Sequence, residues 1–355
     1  MNQVQTFTLT GVAVPKNAVH MLAEISEHFA EHAEVREKAD GVVLLSEIGD
    51  ADITLKDGSL EIVLNCPTQK ALDVSRNVVA EHLFFFAGEE PLELTWDQTD
   101  EPKPAPNVHI VKVLSSEDVT PHMRRVKVAC DDVTPFTGGG LHVRLMVPPI
   151  GRKPVWPTMR ADGRIGWPEG DDTLLVRIYT IRAVDQEKGH LWIDILQHPS
   201  SEHETPGADF ALRAEPGQVL ALMGPGGGGV PETESLVMVG DETALPAIAR
   251  IAAELPEAAS ITAVIEVGDK AEEQPIVSAA RLDIRWLHRN SYAPDTRFAL
   301  AAALSDMLAQ NADPDYIWAA CEGGEAKEIR ALLRQKAHPK NRMYVAAYWQ
   351  QGKSA

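Results

Sequence analysis

Leu236-Val237-Met238-Val239-Gly240 is an unbroken apolar run, and Gly240-Asp241-Glu242-Thr243-Ala244-Leu245-Pro246 leads from it into a helix expected over about residues 244–254. A short run with no polar alternation is the mark of a strand buried on both faces, as in parallel sheets. The rhythm repeats downstream. Apolar strands are expected at 261–267, 283–287, 316–320 and 342–347, with helices near 297–308 and 325–336 between them. Strands alternating with helices specify a doubly wound α/β domain, which binds ligands beyond the carboxyl ends of its strands. Thr243 or Asp241 is placed to cap the helix after the first strand. A Gly-x-Gly-x-x-Gly turn is missing there.

Upstream the rhythm changes. Residues 108–114, 124–128, 142–147, 174–181, 191–197 and 218–223 read as six short strands bounded by Gly, Pro or Asp, which predicts an antiparallel barrel or sandwich. Pro148–Asp172, with Trp156 and Trp167, reads as a long surface loop inserted between two of them. Further upstream is a small α+β unit. It has a strand at Phe7–Ala13, a helix starting near Pro15 and carrying Val19, Leu22, Ile25 and Phe29, strands at 42–47, 52–56 and 59–64, a helix over 69–86 and a strand at 92–96. Asp57-Gly58 makes a hairpin turn. The acidic, proline-rich Asp97–Pro106 reads as a semi-extended linker.

The 355 residues are enough for two or three domains, and 44% hydrophobic with 24% charged residues is an ordinary globular composition. A net charge of −19 argues against nucleic-acid and anionic-membrane partners. No apolar stretch approaches the roughly 18 residues of a membrane span, and Met1–Gln5 lacks the basic start of a secretory signal. Cys66, Cys130 and Cys321 are far apart and odd in number, so no disulfide framework or metal cluster is expected and a cytoplasmic location fits. His28 and His32 are spaced for a metal but lack an evident third ligand. The run Gly224-Pro225-Gly226-Gly227-Gly228-Gly229 lacks the Lys-Ser/Thr of a phosphate loop and reads as a flexible link. Cys321 reads as a buried, inert thiol.

The chemistry concentrates in Arg177-Ile178-Tyr179-Thr180-Ile181-Arg182. Alternation along a strand puts Arg177 and Tyr179 on one face, Thr180 and Arg182 on the other. An arginine beside a tyrosine offers a fork for a phosphate and a flat surface for a ring, which suits a flavin nucleotide.

Arg177-x-Tyr179-Thr180-x-Arg182 resembles the flavin motif of siderophore-interacting proteins, FAD-dependent ferric-siderophore reductases of the ferredoxin-reductase superfamily. His142–Leu145, Gly240–Ile248, Trp286–Arg289 and Tyr348–Gly352 resemble further family segments in the same order, so the resemblance spans about residues 108–352. Residues around His28-Phe29 and His82–Phe85 resemble a small domain of unknown function that sometimes precedes the family. The resemblance implies four segments: 1–97 a small α+β domain, 98–107 a linker, 108–230 a six-stranded antiparallel FAD-binding barrel, and 231–355 a doubly wound NAD(P)H-binding α/β domain. It implies that Arg177 meets the flavin phosphates, Tyr179 packs on the isoalloxazine ring and Thr180 hydrogen-bonds its reactive edge, with Tyr179 and Thr180 as the catalytic pair. Arg182 and Arg144 are further cofactor candidates. Gly207 and Ala208 stand in the family's pyrophosphate segment, where the usual Ser is Ala208 and Asp209 adds a negative charge. Asp241, Glu242, Thr243 and Ala244 fall at the nicotinamide-domain entry. Trp349 covers the flavin or the nicotinamide pocket, or is a C-terminal core aromatic; Gln350 replaces the family's Arg.

The implied partner is a ferric siderophore, reduced with electrons from NAD(P)H by way of FAD, with iron as substrate and no resident metal. Arg289, Arg285, Lys153 and Arg152 are the candidates for binding an anionic chelate, together with Arg160. Glu266 at the second α/β strand favours NADH and nearby Lys270 favours NADPH; both stay open. A flavin reductase serving another acceptor and a non-catalytic siderophore- or flavin-binding protein are the alternatives. A monomer or weak dimer is expected.

Overall fold

The computed structural model of the chain describes residues 6–30, 33–98, 103–197, 205–293, 296–310 and 314–352. Met1–Gln5, His32 and the Thr99–Pro102 part of the expected linker lie outside them. The elements begin with β1 (Phe7–Pro15), α1 (Ala18–Phe29), β2 (Glu34–Lys38), β3 (Gly41–Ser46), β4 (Gly49–Lys56), β5 (Ser59–Cys66), α2 (Gln69–Ala87), β6 (Leu92–Trp96) and β7 (Lys103–Pro104). They continue with β8 (Val108–Thr120), β9 (Met123–Cys130), β10 (His142–Val147), β11 (Thr158–Met159), β12 (Ile165–Gly166), β13 (Leu175–Asp185), β14 (His190–Leu196), α3 (Pro206–Arg213) and β15 (Val219–Gly226). Last come β16 (Ser235–Gly240), α4 (Leu245–Glu254), β17 (Ser260–Val267), β18 (Arg281–His288), α5 (Ala299–Ala309), β19 (Tyr316–Glu322), α6 (Gly323–Gln335) and β20 (Met343–Trp349). They fall into two compact units, Met1–Val108 with Lys153–Thr173, and His109–Arg152 with Leu174–Ala355.

The first unit is a six-stranded sheet in the order β2-β3-β4-β5-β1-β6. Strict alternation along β5 buries Leu60, Ile62, Leu64 and Cys66. Against them α1 presents Ala18, Met21, Ile25 and Phe29, and α2 presents Leu72, Val79, Ala80 and Leu83. Each large apolar side chain so buried contributes about 1.5–3 kcal/mol. Pro15 ends β1 rather than starting α1. The helix cap is Asn17, whose side chain accepts from the His20 amide at 3.1 Å, and the expected core residue Val19 is exposed.

Pro148–Asp172 is not a free surface loop. From Lys153 onward it is built into the first unit, where β11 pairs with both β12 and β7. The Lys103–Pro104 part of the expected linker is thus strand. The buried Arg76 donates to the Ala161 carbonyl at 2.7 Å and Asn77 to the Gly163 carbonyl at 3.0 Å. The Trp96 indole donates to the Asp162 carbonyl at 2.9 Å, and Glu81 accepts from the Ile165 amide at 2.9 Å. The Arg164 guanidinium lies 3.6 Å over the Phe84 ring.

The second unit opens with a closed barrel, β10-β13-β14-β9-β8-β15, filled by inward residues such as Val126, Val128, Leu145, Ile181 and Ile193. Its α/β part is an all-parallel sheet ordered β18-β17-β16-β19-β20. Two buried charged side chains join the parts. Arg250 of α4 donates to the carbonyls of Phe136 (2.7 Å) and Ile181 (3.1 Å). Glu272 accepts from the Thr120 hydroxyl at 2.5 Å and from the His122 amide at 3.2 Å, and meets the His122 ring at 2.6 Å. Charges desolvated this far are tolerated only when their hydrogen bonds are filled, as these are.

Candidate active site

The site is organised by β13 and the start of α3. Arg177 and Tyr179 are partly buried, Ile178 is exposed, and the adjacent Thr180 and Ile181 are both buried, so burial along β13 does not simply alternate. Gly207 in the first turn of α3 lies against this strand. A Cβ there would overlap the Tyr179 hydroxyl and stand 3.6 Å from Arg177 Cγ. Only glycine lets the helix start come so close. The first amides of a helix have no carbonyl of their own helix to bond, and they carry the positive end of its dipole. Gly207, buried like Ala208, thus sits beside Arg177, and a helix start next to an arginine suits an anion. Asp209 is exposed, which takes its charge away from the buried face of the helix. Burial pushes the Tyr179 phenol up to about 12, so it stays neutral. The Arg177 guanidinium and the start of α3 are donors of the kind a flavin diphosphate needs.

Thr180 pairs in register with His142 of β10. Its hydroxyl lies 3.2 Å from His142 Nδ1, and His142 Nε2 lies 3.0 Å from the Tyr348 hydroxyl of β20. Tyr348 is edge-on to Trp318, which stacks on Tyr344. His142 and Tyr348 stood out in the sequence only as letters of matching segments. The Gly224–Gly229 run, read as a flexible link, is packed structure. Gly226 pairs with His142, the Leu141 amide donates to the Gly228 carbonyl at 3.2 Å, and a Cβ at Gly227 would come within 2.5 Å of the His142 ring.

Arg182 faces Asp194 at 3.9 Å, a carboxylate that Arg125 holds with two bonds of 2.7 Å. It is engaged in the barrel wall and not gathered with Arg177. Arg144 is exposed, opposite Ile178.

In the α/β part, the strand order reverses between β16 and β19, which is where a crevice forms in such sheets. Asp241 is buried at this point and fully used. Its carboxylate accepts from the Thr243 amide (2.9 Å) and hydroxyl (2.5 Å), the Glu322 amide (3.0 Å) and the Trp349 indole (2.8 Å). Thr243 therefore donates to Asp241 instead of capping α4, whose N-cap Ala244 makes no side-chain cap bond. Trp349 is tied to the same carboxylate. Arg289 forms a two-bond pair with Glu242 (2.8 and 2.7 Å) and also reaches Glu266 (2.9 and 2.8 Å), while Tyr292 donates to Glu266 at 2.9 Å. The two carboxylates hold the guanidinium pKa above its usual range. Glu325 accepts from the amides of Leu300 (3.3 Å) and Ala301 (3.2 Å), and burial pushes it up to about 7. Burial also raises the Cys321 thiol, as expected of an inert one.

Arg289 is bound to carboxylates and Arg285 is exposed on β18. Arg152 and Lys153 are exposed at a junction where the chain passes from one unit to the other. His28 packs 5.0 Å from the His82 ring, beside Phe29 and Phe86, and the described residues contain no group of three metal-ligating side chains.

Three family models match the chain in order. Residues 10–97 match an uncharacterized protein conserved in bacteria (DUF2218), 112–229 a siderophore-interacting FAD-binding domain, and 233–352 the siderophore-interacting protein model. A ferric vibriobactin reductase from Vibrio cholerae is 27% identical over 242 residues, 66% of this chain and 87% of the relative. An NADPH-dependent ferric-chelate reductase from Escherichia coli is 28% identical over 244 residues, 67% of this chain and 91% of the relative. The crystal structure of a siderophore utilization protein from T. fusca superposes with a TM-score of 0.58 at 33% identity, covering 72% of this chain and 97% of that one. On the order of the domain matches, the barrel-plus-α/β fold and this solved relative, the chain belongs to the siderophore-interacting protein family.

Proposed function

We propose that the chain is an NAD(P)H-dependent ferric-siderophore reductase that uses FAD and acts in the cytoplasm. The observation that supports this is that Gly207 at the start of α3 lies against Arg177 and Tyr179 of β13, in a segment matching an FAD-binding domain. The relatives named as ferric vibriobactin and ferric-chelate reductases supply the reaction class. Residues 108–230, apart from the 153–173 insertion built into the first unit, are assigned to FAD and 231–355 to the nicotinamide nucleotide.

In this reading Arg177 and the helix start neutralise the diphosphate, and Tyr179 supplies a neutral aromatic surface for the ring. Thr180 presents its hydroxyl at the ring edge. Asp241 does not contact the nucleotide. It braces the crevice by holding Thr243, Glu322 and Trp349 in place. Bound at this site, FAD supplies the passage from a two-electron donor to the one-electron reduction of Fe(III), which no amino-acid side chain performs. Fe(II) suits a hard-oxygen chelate less well than Fe(III), so reduction frees the metal. Arg285, Arg152 and Lys153 remain the candidates for meeting an anionic chelate. Arg289 serves it only if released from Glu242 and Glu266.

The test is FAD retention. Arg177→Ala removes a charged fork, and the expected loss of FAD affinity is about 10- to 100-fold, the range of one charge-assisted interaction. Tyr179→Ala is expected to weaken retention as well. Unchanged retention in both variants, with circular dichroism as in the parent, contradicts the assignment.

A further inference from the structure

His142 has no role in the function described so far, yet both of its ring nitrogens are engaged. Nδ1 faces the Thr180 hydroxyl at 3.2 Å and Nε2 faces the Tyr348 hydroxyl at 3.0 Å. The ring is boxed in by Gly227, whose φ of +76° and missing Cβ leave room for it. Burial, together with the Arg250 charge on α4, lowers the imidazole pKa, so the ring is neutral at neutral pH. A neutral imidazole has one N–H and one bare nitrogen. The two hydroxyls therefore cannot play the same part.

The chemistry of the partners decides which way the chain runs. The Tyr348 phenol is partly buried among Trp318 and Tyr344, with the Tyr344 hydroxyl as a second hydrogen-bond partner, and burial raises its pKa, so it keeps its proton. A phenol is a better donor than an aliphatic hydroxyl, and a bare imidazole nitrogen is a better acceptor than a phenol oxygen. Between the Tyr344 oxygen and the imidazole nitrogen, Tyr348 O–H accordingly donates to Nε2, and its own oxygen is left to accept from the Tyr344 hydroxyl. The ring proton is then on Nδ1, where it donates to Thr180 Oγ. The Thr180 hydroxyl has accepted one bond and must point its own hydrogen elsewhere, and no other partner for it is found among the described residues.

We propose that His142 is a positioning residue that makes the Thr180 hydroxyl a hydrogen-bond donor facing the flavin site, through the one-way chain Tyr348 O–H to His142 Nε2 and His142 Nδ1–H to Thr180 Oγ. The acceptor at the end of the chain rests on the flavin reading; the direction of the chain does not. The device joins the last strand of the α/β sheet to the flavin strand within one unit, so a shift of β20 reverses or breaks the polarity presented by Thr180.

Long-range ¹⁵N–¹H correlation on the full-length protein without flavin reads the tautomer directly. The His142 signal is assigned by its loss in His142→Gln or, should that variant not fold, by its shift in Thr180→Val. The expected result is a neutral ring protonated on Nδ1, the tautomer that free imidazole side chains disfavour, with the other tautomer gaining population in Tyr348→Phe. FAD titration supplies a second readout. Thr180→Val, His142→Gln and the double variant are each expected to weaken binding by the same roughly 5- to 10-fold, the size of one hydrogen bond. A ring protonated on Nε2, an imidazolium at neutral pH, or additive losses in the double variant overturns the proposal. Wild-type protein that takes up no FAD overturns the flavin reading instead, while the tautomer still decides the direction of the chain.

Discussion

Glu325 shows how single residues around the crevice are set by burial. Its carboxyl caps α5 from the first turn of α6, accepting from two backbone amides, and Glu266 and Asp241 add like charge. Burial outweighs the amides and pushes it from 4.5 up to about 7. A carboxyl that holds its proton more tightly folded than unfolded stabilises the fold below the unfolded value. That contribution is lost as pH rises through about 7. Denaturant midpoints of wild type and Glu325→Gln should therefore converge or cross between acid and neutral pH, the variant gaining on the wild type as pH rises. Parallel pH profiles contradict this. At this scale the sequence was partly legible. Arg177, Tyr179 and Gly207 do come together, because strand alternation and a helix start are local rules. Asp241 and Thr243 were read as lying at the nicotinamide-domain entry and Trp349 as a pocket cover or core aromatic; that the three are bonded together was not read. Their bonds join residues 81 and 108 positions apart, which no local pattern encodes. Glu266, the candidate reader of a nucleotide ribose, is taken up by Arg289 and Tyr292.

Among the elements, the insertion between β10 and β13 differs most from its reading as a loop. It carries Pro, Gly and Trp, which mark irregular chain, but its fixing points are backbone carbonyls reached by Arg76, Asn77 and Trp96, and carbonyls have no sequence signature. β2 was missed for a different reason. Its Glu34-Val35-Arg36-Glu37-Lys38 is a charged edge strand, and edges are where strands carry solubilising charge. Apart from β7, which was read as linker, the longer strands and helices were legible because their apolar periods are strong. The Arg76 side chain both bonds the Ala161 carbonyl and lies 5.6 Å over the Trp96 ring. Replacing it in Arg76→Met keeps an apolar stem but removes the fork. Trypsin is then expected to cut after Arg160 and Arg164 at least several-fold faster than in the wild type; equal cleavage rates would show that the insertion is held by other contacts.

At the scale of the whole molecule, the chain carries a net charge of −19, against which the anion site proposed at Arg177 and the start of α3 stands out. The barrel and the α/β part belong to a single compact unit, locked by the buried Arg250 and Glu272, so the flavin strand and the strand ends of the parallel sheet keep a fixed relation. The chain from Thr180 through His142 to Tyr348 crosses the same junction. A reductase of this design needs no general acid or base, only a held ring, a held donor and access for the chelate. The most direct test of this account is anaerobic mixing of the FAD-loaded protein with NADH or NADPH, followed by a ferric siderophore and a ferrous trap. The account predicts bleaching of the visible flavin band by at least one nucleotide, then return of the band as the ferrous complex appears. A protein that retains no FAD, or whose flavin stays oxidised with both nucleotides, contradicts it.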